Sequence, residues 1–321
     1  MVNQPLFLDE EQVRQHLRIE DLIPAIEKAL IDFSAGRVTQ PVRSVIKVEV
    51  AAATGFLGLM PALTPDGLGL KAVTFYPSNA ERRIPTHMAT IFLVDPETGT
   101  PLAIMDGRLI TEMRTAAVSA AATKLLARTD AKILAILGSG VQAHSHFEAL
   151  QLVKHFEEIR VWSPNKMHAE TFANEIEASS WHRHLADQKL AGSQCHVTSA
   201  EDAVRGADVI VTATNSKSPV LKGSWLKTGC HVNAIGACRP DWRELDNDAM
   251  SNVVFVDSRE GALKESGDVI LSGTKIYAEL GEALAGKVPP RATETTIFKS
   301  LGMAVEDIAA AMLVYRSVAK L

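Results

Sequence analysis

Residues 133–143 read Ile133-Leu134-Ala135-Ile136-Leu137-Gly138-Ser139-Gly140-Val141-Gln142-Ala143, and this segment is the most informative about the fold. It reads as a buried strand that runs into the pattern G-x-G-x-x-A and then into a helix. Gly138 permits a tight turn, Gly140 lets the backbone approach a pyrophosphate, and Ala143 keeps the helix close to the sheet. The N-terminus of that helix attracts the anion. Because a further strand, Glu158–Trp162, follows, we predict a dinucleotide site here rather than a merely structural turn.

The residues after that second strand bear on which dinucleotide binds. An Asp or Glu at this point bonds the ribose 2′-hydroxyl of NAD and repels the 2′-phosphate of NADP. Here the sequence is Ser163-Pro164-Asn165-Lys166, which contains no acid. Ser163, Asn165 and Lys166 offer hydrogen-bond donors and a positive charge. The sequence therefore favours NADPH, and NADH stays an alternative because no arginine stands there.

The pattern of apolar residues changes along the chain. In the first part, one helix over Asp21–Phe33, with Asp21 as its N-cap, precedes short β-branched stretches separated by Gly, Pro and Asp. Later, short apolar strands alternate with helices, as in a buried parallel sheet, and a helical tail covers Met303–Val318. The predicted strands are Val42–Val50, Phe56–Met60, Leu70–Tyr76, Met88–Val94 and Pro101–Met105, then Lys132–Leu137, Glu158–Trp162, Asp208–Ala213, His231–Ile235 and Val253–Asp257.

This pattern predicts an α/β fold of two domains. A Rossmann-type, doubly wound parallel sheet over residues 119–298 is inserted into a mostly antiparallel α+β domain made of residues 1–118 and 299–321. The length of 321 residues agrees with about two domains.

Composition and charge exclude several classes of protein. The chain is 46% hydrophobic and 22% charged with a formal net charge of −5, which is ordinary for a soluble globular protein and disfavours a nucleic-acid partner. No apolar run approaches the roughly 18 residues of a membrane span. Three cysteines without a C-x-x-C pair indicate reduced thiols in the cytoplasm. No H-E-x-x-H motif or zinc-type Cys/His spacing occurs, so we expect no metal.

Three cations in the first domain are candidates for an anion site: Arg43, Lys71 and Arg114. Lys71 interrupts an apolar strand, so it either reaches a functional anion or extends out from an edge. Each of the three, taken alone, is more often a surface residue. His87 is equally open between a functional role and that of a turn histidine.

Several long segments resemble the ornithine cyclodeaminase and mu-crystallin family, and within it the mu-crystallin (ketimine reductase) branch. They span nearly the whole chain and are Gln40–Arg43, Met105–Gly107, Arg114–Ala120, Leu137–Ala143, Gly236–Leu245, Leu263–Asp268 and Phe298–Asp307. The resemblance implies a homodimer whose sheet domains pair, with the active site in the cleft between the two domains of each subunit. It also implies that Arg43, Lys71 and Arg114 hold a substrate carboxylate, which a planar guanidinium can grip through two bonds.

The resemblance adds residues to the cofactor site. The full set expected to bind the nicotinamide cofactor is Thr86, Arg114, Thr115, Gly138, Ser139, Gly140, Val141, Gln142, Ser163, Asn165, Lys166, Thr214, Ile235 and Ser300. Lys71 and His87 are the candidate catalytic residues, with His87 as a proton donor or as an orienting group.

Two departures separate the chain from true cyclodeaminases. Gly58 and Cys238 stand where those enzymes carry a glutamate and a catalytic aspartate, the carboxylates that would handle protons in deamination and ring closure. In addition, Pro164 replaces an arginine of the branch. The expected function is reduction of 1-piperideine-2-carboxylate or 1-pyrroline-2-carboxylate to pipecolate or proline, with the cofactor carrying the chemistry. The alternatives are an ornithine or lysine cyclodeaminase, an amino-acid dehydrogenase, or a carrier of a thyroid-hormone-like ligand.

Overall fold

A computed structural model of the chain describes residues 4–50, 53–178 and 194–320. The chain folds into two compact units. The first unit comprises Met1–Arg114 with Gly302–Leu321, and the second comprises Thr115–Leu301.

The first unit contains a six-stranded sheet in the order β1-β6-β5-β4-β3-β2. Only β1 and β6 pair in parallel, and all other neighbours are antiparallel. The elements are β1 (Leu6–Leu8), α1 (Glu10–His16), α2 (Ile19–Ser34), β2 (Ser44–Val50), β3 (Ala53–Thr64), β4 (Gly67–Phe75), a 3-10 turn (Pro77–Arg82), β5 (His87–Val94), β6 (Pro101–Asp106), the start of α3 (Arg108–Leu126) and the last helix (Ala304–Ala319). Helix α1 is absent from the sequence prediction.

Helix α2 begins at Ile19, so the prediction that Asp21 is its N-cap is wrong. Arg18 occupies the N-cap without a side-chain hydrogen bond, and Asp21 lies in the first turn. The reason is that the buried stripe starts earlier than the sequence prediction placed it, because Ile19 and Leu22 are both buried. Burial of this apolar face outweighs the capping preference of an aspartate.

The two faces of the six-stranded sheet differ in burial. One cross-strand row, Met60, Lys71, Ile91 and Met105, is at most 3% exposed and faces the last helix. A row on the opposite face, three residues further along β4, contains Ile46, which is 52% exposed, and Met88, which is 42% exposed. A lysine therefore lies in an otherwise apolar, buried row.

The second unit contains an eight-stranded sheet in the order β13-β12-β14-β11-β10-β7-β8-β9, and every pair is parallel. Its strands are β7 (Ile133–Leu137), β8 (Glu158–Trp162), β9 (Gln194–Val197), β10 (Val209–Thr212), β11 (His231–Ala234), β12 (Val253–Val256), β13 (Ile276–Glu279) and β14 (Thr296–Lys299). Its helices are the rest of α3, α4 (Val141–Gln151), α5 (Lys166–Ala178), Ala200–Val204, a 3-10 turn (Gly223–Trp225), Asn247–Met250, Arg259–Glu265, Gly267–Ser272 and Leu280–Leu284. The predicted α/β class, with a Rossmann-type parallel sheet and a mostly antiparallel sheet, is confirmed.

The chain reverses direction across this sheet between β7 and β10. From β7 it proceeds outward through β8 and β9, and then it returns to β10 on the other side of β7. Such a switch point, at the carboxyl ends of the strands, is where open α/β sheets bind ligands. Within the described ranges, no helix is both long enough and apolar enough to cross a membrane.

Candidate active site

The glycine-rich loop lies at this switch point. Gly138 has a φ of +132°, and a Cβ there would overlap the carbonyl group of Ala213, whose carbon would lie 3.0 Å away. The Ala213 amide donates to the Leu137 carbonyl at 2.8 Å. Only glycine therefore fits where β7 ends against the end of β10.

The rest of the loop fits a bound dinucleotide. Gly140 is the N-cap of α4, and a Cβ on it would meet no atom within 4 Å. The backbone is therefore open to a pyrophosphate at a helix N-terminus. Behind it, Gln142 has a buried Oε1 that accepts no hydrogen bond from the described part of the chain.

The loop after β8 has partners of its own. Ser139 donates from Oγ to Ser163 Oγ at 2.9 Å, which joins this loop to the glycine-rich loop. Asn165 accepts from the Met167 amide at the start of α5. Lys166 is 81% exposed and lies 3.5 Å from Glu170, so its charge is largely solvated. Of the residues predicted to lie beside the ribose, Ser163 is thus linked to the glycine-rich loop by a hydrogen bond.

Three further predicted cofactor residues follow neighbouring strands of the same sheet. Thr214 follows β10, Ile235 follows β11, and Ser300 follows β14. Thr214 donates from both its amide and its hydroxyl to Glu244 Oε1 at 2.7 Å, and Thr212 donates to the other oxygen of Glu244 at 2.8 Å. Burial raises the pKa of Glu244, which is fully enclosed.

A buried ion pair supports Glu244. The amides of Glu244 and Leu245 donate to Asp268 Oδ1 at 2.9 and 3.0 Å, and Asp268 Oδ2 lies 3.2 Å from Lys299 Nζ. Lys299 also donates to the Gly236 carbonyl. Glu244, Asp268 and Lys299 were not predicted as site residues, because nothing in their spacing along the sequence shows that they meet.

The predicted carboxylate ligands meet in the first unit. Lys71 is 1% exposed, and its Nζ lies 2.7 Å from Asp307 Oδ2. Arg114 donates from Nε to Asp307 Oδ1 at 2.9 Å and from Nη1 to Glu306 Oε2 at 2.8 Å. Arg43 donates to the Gly302 carbonyl at 2.8 Å.

Gly302 brings the two arginines together. It has a φ of +76°, and a Cβ there would lie 2.6 Å from Nη2 and 2.8 Å from Cζ of Arg114. Arg43 and Arg114 therefore approach the same glycine, one through its carbonyl and the other through its open α-carbon. The residue after Arg114, Thr115, is buried in α3.

Burial and neighbouring charges determine the protonation state of Lys71. Burial is the largest influence and lowers the pKa of Lys71 from 10.5 to about 8, with Arg114 and Arg43 acting in the same direction. Asp307 opposes this by favouring the charged form. The ammonium group is therefore charged at neutral pH, as an anion site requires.

Glu306 and Asp307 were not predicted as site residues either. Both lie in the first turn of the last helix, where acids are ordinarily explained by the helix dipole. Their complete burial is the signal that sets them apart, and it is visible only in the structure.

The second candidate catalytic residue is placed differently. His87 is exposed, its ring stacks on Phe75 with centroids 4.3 Å apart, and its Nδ1 lies 3.2 Å from Thr86 Oγ1. It pairs with Phe75, four residues along β4 from Lys71, or about 13 Å. The structure does not bring His87 to Lys71, and its role stays a prediction.

The remaining residues singled out in the sequence add no further ionisable group to the cation cluster. Gly58 leaves room for Val73, whose Cγ1 would lie 3.1 Å from a Cβ on that glycine. Cys238 is exposed. The described residues contain no group of three or more His, Cys, Asp or Glu side chains placed to hold a metal ion.

A wholly parallel sheet with a glycine-rich loop at its switch point defines a Rossmann-type α/β protein, here with a second unit that holds buried cations. The chain belongs to the ornithine cyclodeaminase/mu-crystallin family, whose sequence profile matches residues 3–320.

Three relatives illustrate the range of that family. The chain is 49% identical to the ketimine reductase mu-crystallin of Mus musculus, over 99% of this chain and 98% of the relative. The Thermococcus litoralis Δ1-pyrroline-2-carboxylate reductase, solved with NADH and L-proline, superposes with a TM-score of 0.89 at 36% identity, covering 98% of each chain. An archaeal alanine dehydrogenase dimer with bound NAD has a TM-score of 0.87 at 32% identity, covering 98% of this chain and 96% of that one.

Proposed function

We propose that this protein is an NAD(P)H-dependent ketimine reductase that converts 1-piperideine-2-carboxylate and 1-pyrroline-2-carboxylate to L-pipecolate and L-proline. The observation that carries the proposal is the cluster of Arg43, Lys71 and Arg114, of which Lys71 and Arg114 are almost fully buried. Buried cations of this kind fit a small carboxylate. The names of the mouse and Thermococcus relatives support reduction of a cyclic C=N bond.

The chain's own residues account for binding and orientation. Arg43 and Arg114 grip the substrate carboxylate, and the ammonium of Lys71 adds a charge from inside the sheet. Fixing the carboxylate fixes the ring and its imine carbon, so that the reaction needs mainly positioning. A dinucleotide bound at Gly140 and Gln142 would supply the hydride. An imine that binds protonated is already electrophilic, so the chemistry does not require the carboxylates that Gly58 and Cys238 replace.

The experiment is to follow the absorbance of reduced nicotinamide with the purified protein, either NADPH or NADH, and each of the two ketimines. Rapid oxidation that depends on the ketimine supports the proposal. Arg114→Ala serves as the control, and it should lose turnover far more than cofactor binding because Arg114 contacts the carboxylate. Cofactor binding without oxidation of either ketimine would contradict the proposal and favour a carrier of a thyroid-hormone-like ligand.

We also propose that NADPH is the preferred cofactor. Ser163 follows β8 and accepts a hydrogen bond from Ser139, and no acid stands in the loop from Ser163 to Lys166. Ser163→Asp would place a carboxylate where the 2′-phosphate is expected, so the KM for NADPH should rise by about tenfold or more while that for NADH falls. Ser163→Ala is the matched control and should leave the preference unchanged. An equal effect of Ser163→Asp on both cofactors would place the ribose elsewhere.

We further propose that two copies of the chain pair through the exposed face of the six-stranded sheet. Ile46, Leu57, Thr74 and Met88 form a row across four strands on that face. Phe7, on the edge strand β1, is 68% exposed. An apolar face of this kind is typical of an association surface, and the archaeal alanine dehydrogenase is described as a dimer.

A further inference from the structure

The last helix supplies a carboxylate to two cations at once. Asp307 lies 2.7 Å from Lys71 Nζ through Oδ2, and it accepts from Arg114 Nε at 2.9 Å through Oδ1. All three side chains are buried, and Asp307 is fully enclosed. Because each oxygen contacts a different cation, the position of this one carboxylate fixes the separation of the two.

The charge of Asp307 matters as much as its position. A buried lysine tends to lose its proton, because desolvation penalises the ammonium form. The charged and polar groups that face Lys71 are Asp307 from the last helix, Arg114 and Thr111 from α3, and Arg43 from the segment before β2. Among the large influences on the pKa of Lys71, burial, Arg114 and Arg43 lower it, and Asp307 raises it through both its charge and its hydrogen bond.

We propose that Asp307 is a positioning residue of the carboxylate site, which holds Lys71 and Arg114 in register and keeps the lysine ammonium charged for the substrate. The proposal rests on the proposed function in one respect, that Lys71 is a ligand of the substrate carboxylate. Asp307 acts through Lys71 and Arg114, so its removal should change how binding depends on pH and not only how tight binding is.

The test compares Asp307→Asn with the wild-type protein. Asparagine keeps the shape of the side chain and removes its charge. Two quantities are measured between about pH 6 and pH 10: kcat/KM for 1-piperideine-2-carboxylate, and the affinity for L-proline by calorimetry. In the wild type both should fall above about pH 8, where Lys71 loses its proton. In Asp307→Asn that fall should move to lower pH by about one to three units.

Glu306→Gln is the matched control, because it removes an equally buried carboxylate from the adjacent residue, whose Oε2 accepts a hydrogen bond from Arg114. It should weaken binding at every pH, but the pH at which kcat/KM and the affinity for L-proline fall should stay unchanged. The substrate titrates identically with each variant, so a shift that depends on the variant belongs to the protein. If Asp307→Asn and Glu306→Gln moved the fall equally, or neither moved it, the proposal would be wrong.

Two further variants keep the test decisive if Asp307→Asn folds poorly. Asp307→Glu retains the charge and should return the fall towards its wild-type position. Lys71→Arg replaces the ammonium by a guanidinium that does not lose its proton, so the fall near pH 8 should disappear. A fall in the affinity for L-proline near pH 8 that persisted in Lys71→Arg would assign the titration to another group of the protein and overturn the proposal. L-proline binding that behaves as expected without any reduction of ketimine would instead contradict only the proposed function.

Discussion

A single glycine illustrates how a residue can be required for two separate reasons. Gly302 has a positive φ of +76°, which favours glycine at any position, and its α-carbon also faces the guanidinium of Arg114. Gly36, after α2, has almost the same φ of +73°, but a Cβ there would meet no atom within 4 Å. Substitutions at these two glycines therefore distinguish the effect of backbone strain, which both share, from the effect of crowding Arg114, which arises at Gly302.

Gly302→Ala should damage carboxylate binding specifically. The added methyl group would displace Arg114, so we expect the KM for the ketimine to rise by about tenfold or more, with cofactor binding unchanged. Gly36→Ala should cost a similar amount of backbone strain, roughly 1–2 kcal/mol, and leave the KM unchanged. Steady-state kinetics and urea unfolding of both variants check this. An equal KM for the two variants would show that Arg114 does not need the space.

The sequence could predict some of these residues and not others. Arg43, Lys71 and Arg114 each look like surface residues by themselves, and only the family resemblance groups them. Asp307 was not predicted, because an acid in the first turn of a helix already has a local explanation. Its role depends on Lys71, which lies 236 positions away in the chain, and no local pattern carries that information.

A buried, neutral histidine links two strands and a helix inside the second unit. His231 in β11 is fully buried, with Nδ1 2.9 Å from Thr296 Oγ1 in β14 and Nε2 3.2 Å from Asn233 Oδ1. Asn233 in turn donates to Thr123 Oγ1 of α3 at 2.8 Å. Burial is the largest cause that lowers the pKa of His231 from 6.5 to about 4, so the ring is neutral at physiological pH.

This burial predicts that the protein loses stability in mild acid. Between about pH 6.5 and pH 4 the unfolded chain binds a proton at His231 and the folded chain does not, so the free energy of unfolding falls as pH falls. From pH 7 to pH 5 the loss from this residue is roughly 2 kcal/mol. Urea unfolding of His231→Gln should lack that part of the loss, whereas His155→Gln, at an exposed position, should retain it. Identical pH dependence in both variants would contradict this account.

The strands of the parallel sheet show what periodicity can and cannot predict. Glu158–Trp162 has the bounds that the sequence predicted, because its apolar, β-branched residues lie between clear polar boundaries. Strand β14 was missed, although all four of its residues are buried. It ends in Lys299, whose charge is balanced by Asp268 from a distant helix. Because this strand contains a buried charged residue, a prediction based on hydrophobicity does not identify it as a core strand.

The exposed, mostly apolar row on the six-stranded sheet predicts that two copies of the chain associate. Ile46 lies within that row and is 52% exposed, and Leu271, in the second unit, is also 52% exposed. Ile46→Glu should convert a dimer to a monomer, because pairing would bury an unpartnered carboxylate, and we expect the dimer Kd to rise by about 100-fold or more. Leu271→Glu adds the same charge elsewhere and should leave the dimer intact. Light scattering coupled to size-exclusion chromatography distinguishes the two. A monomeric wild-type protein would show that the chain does not self-associate. An equal response of both variants would show that the association surface lies elsewhere.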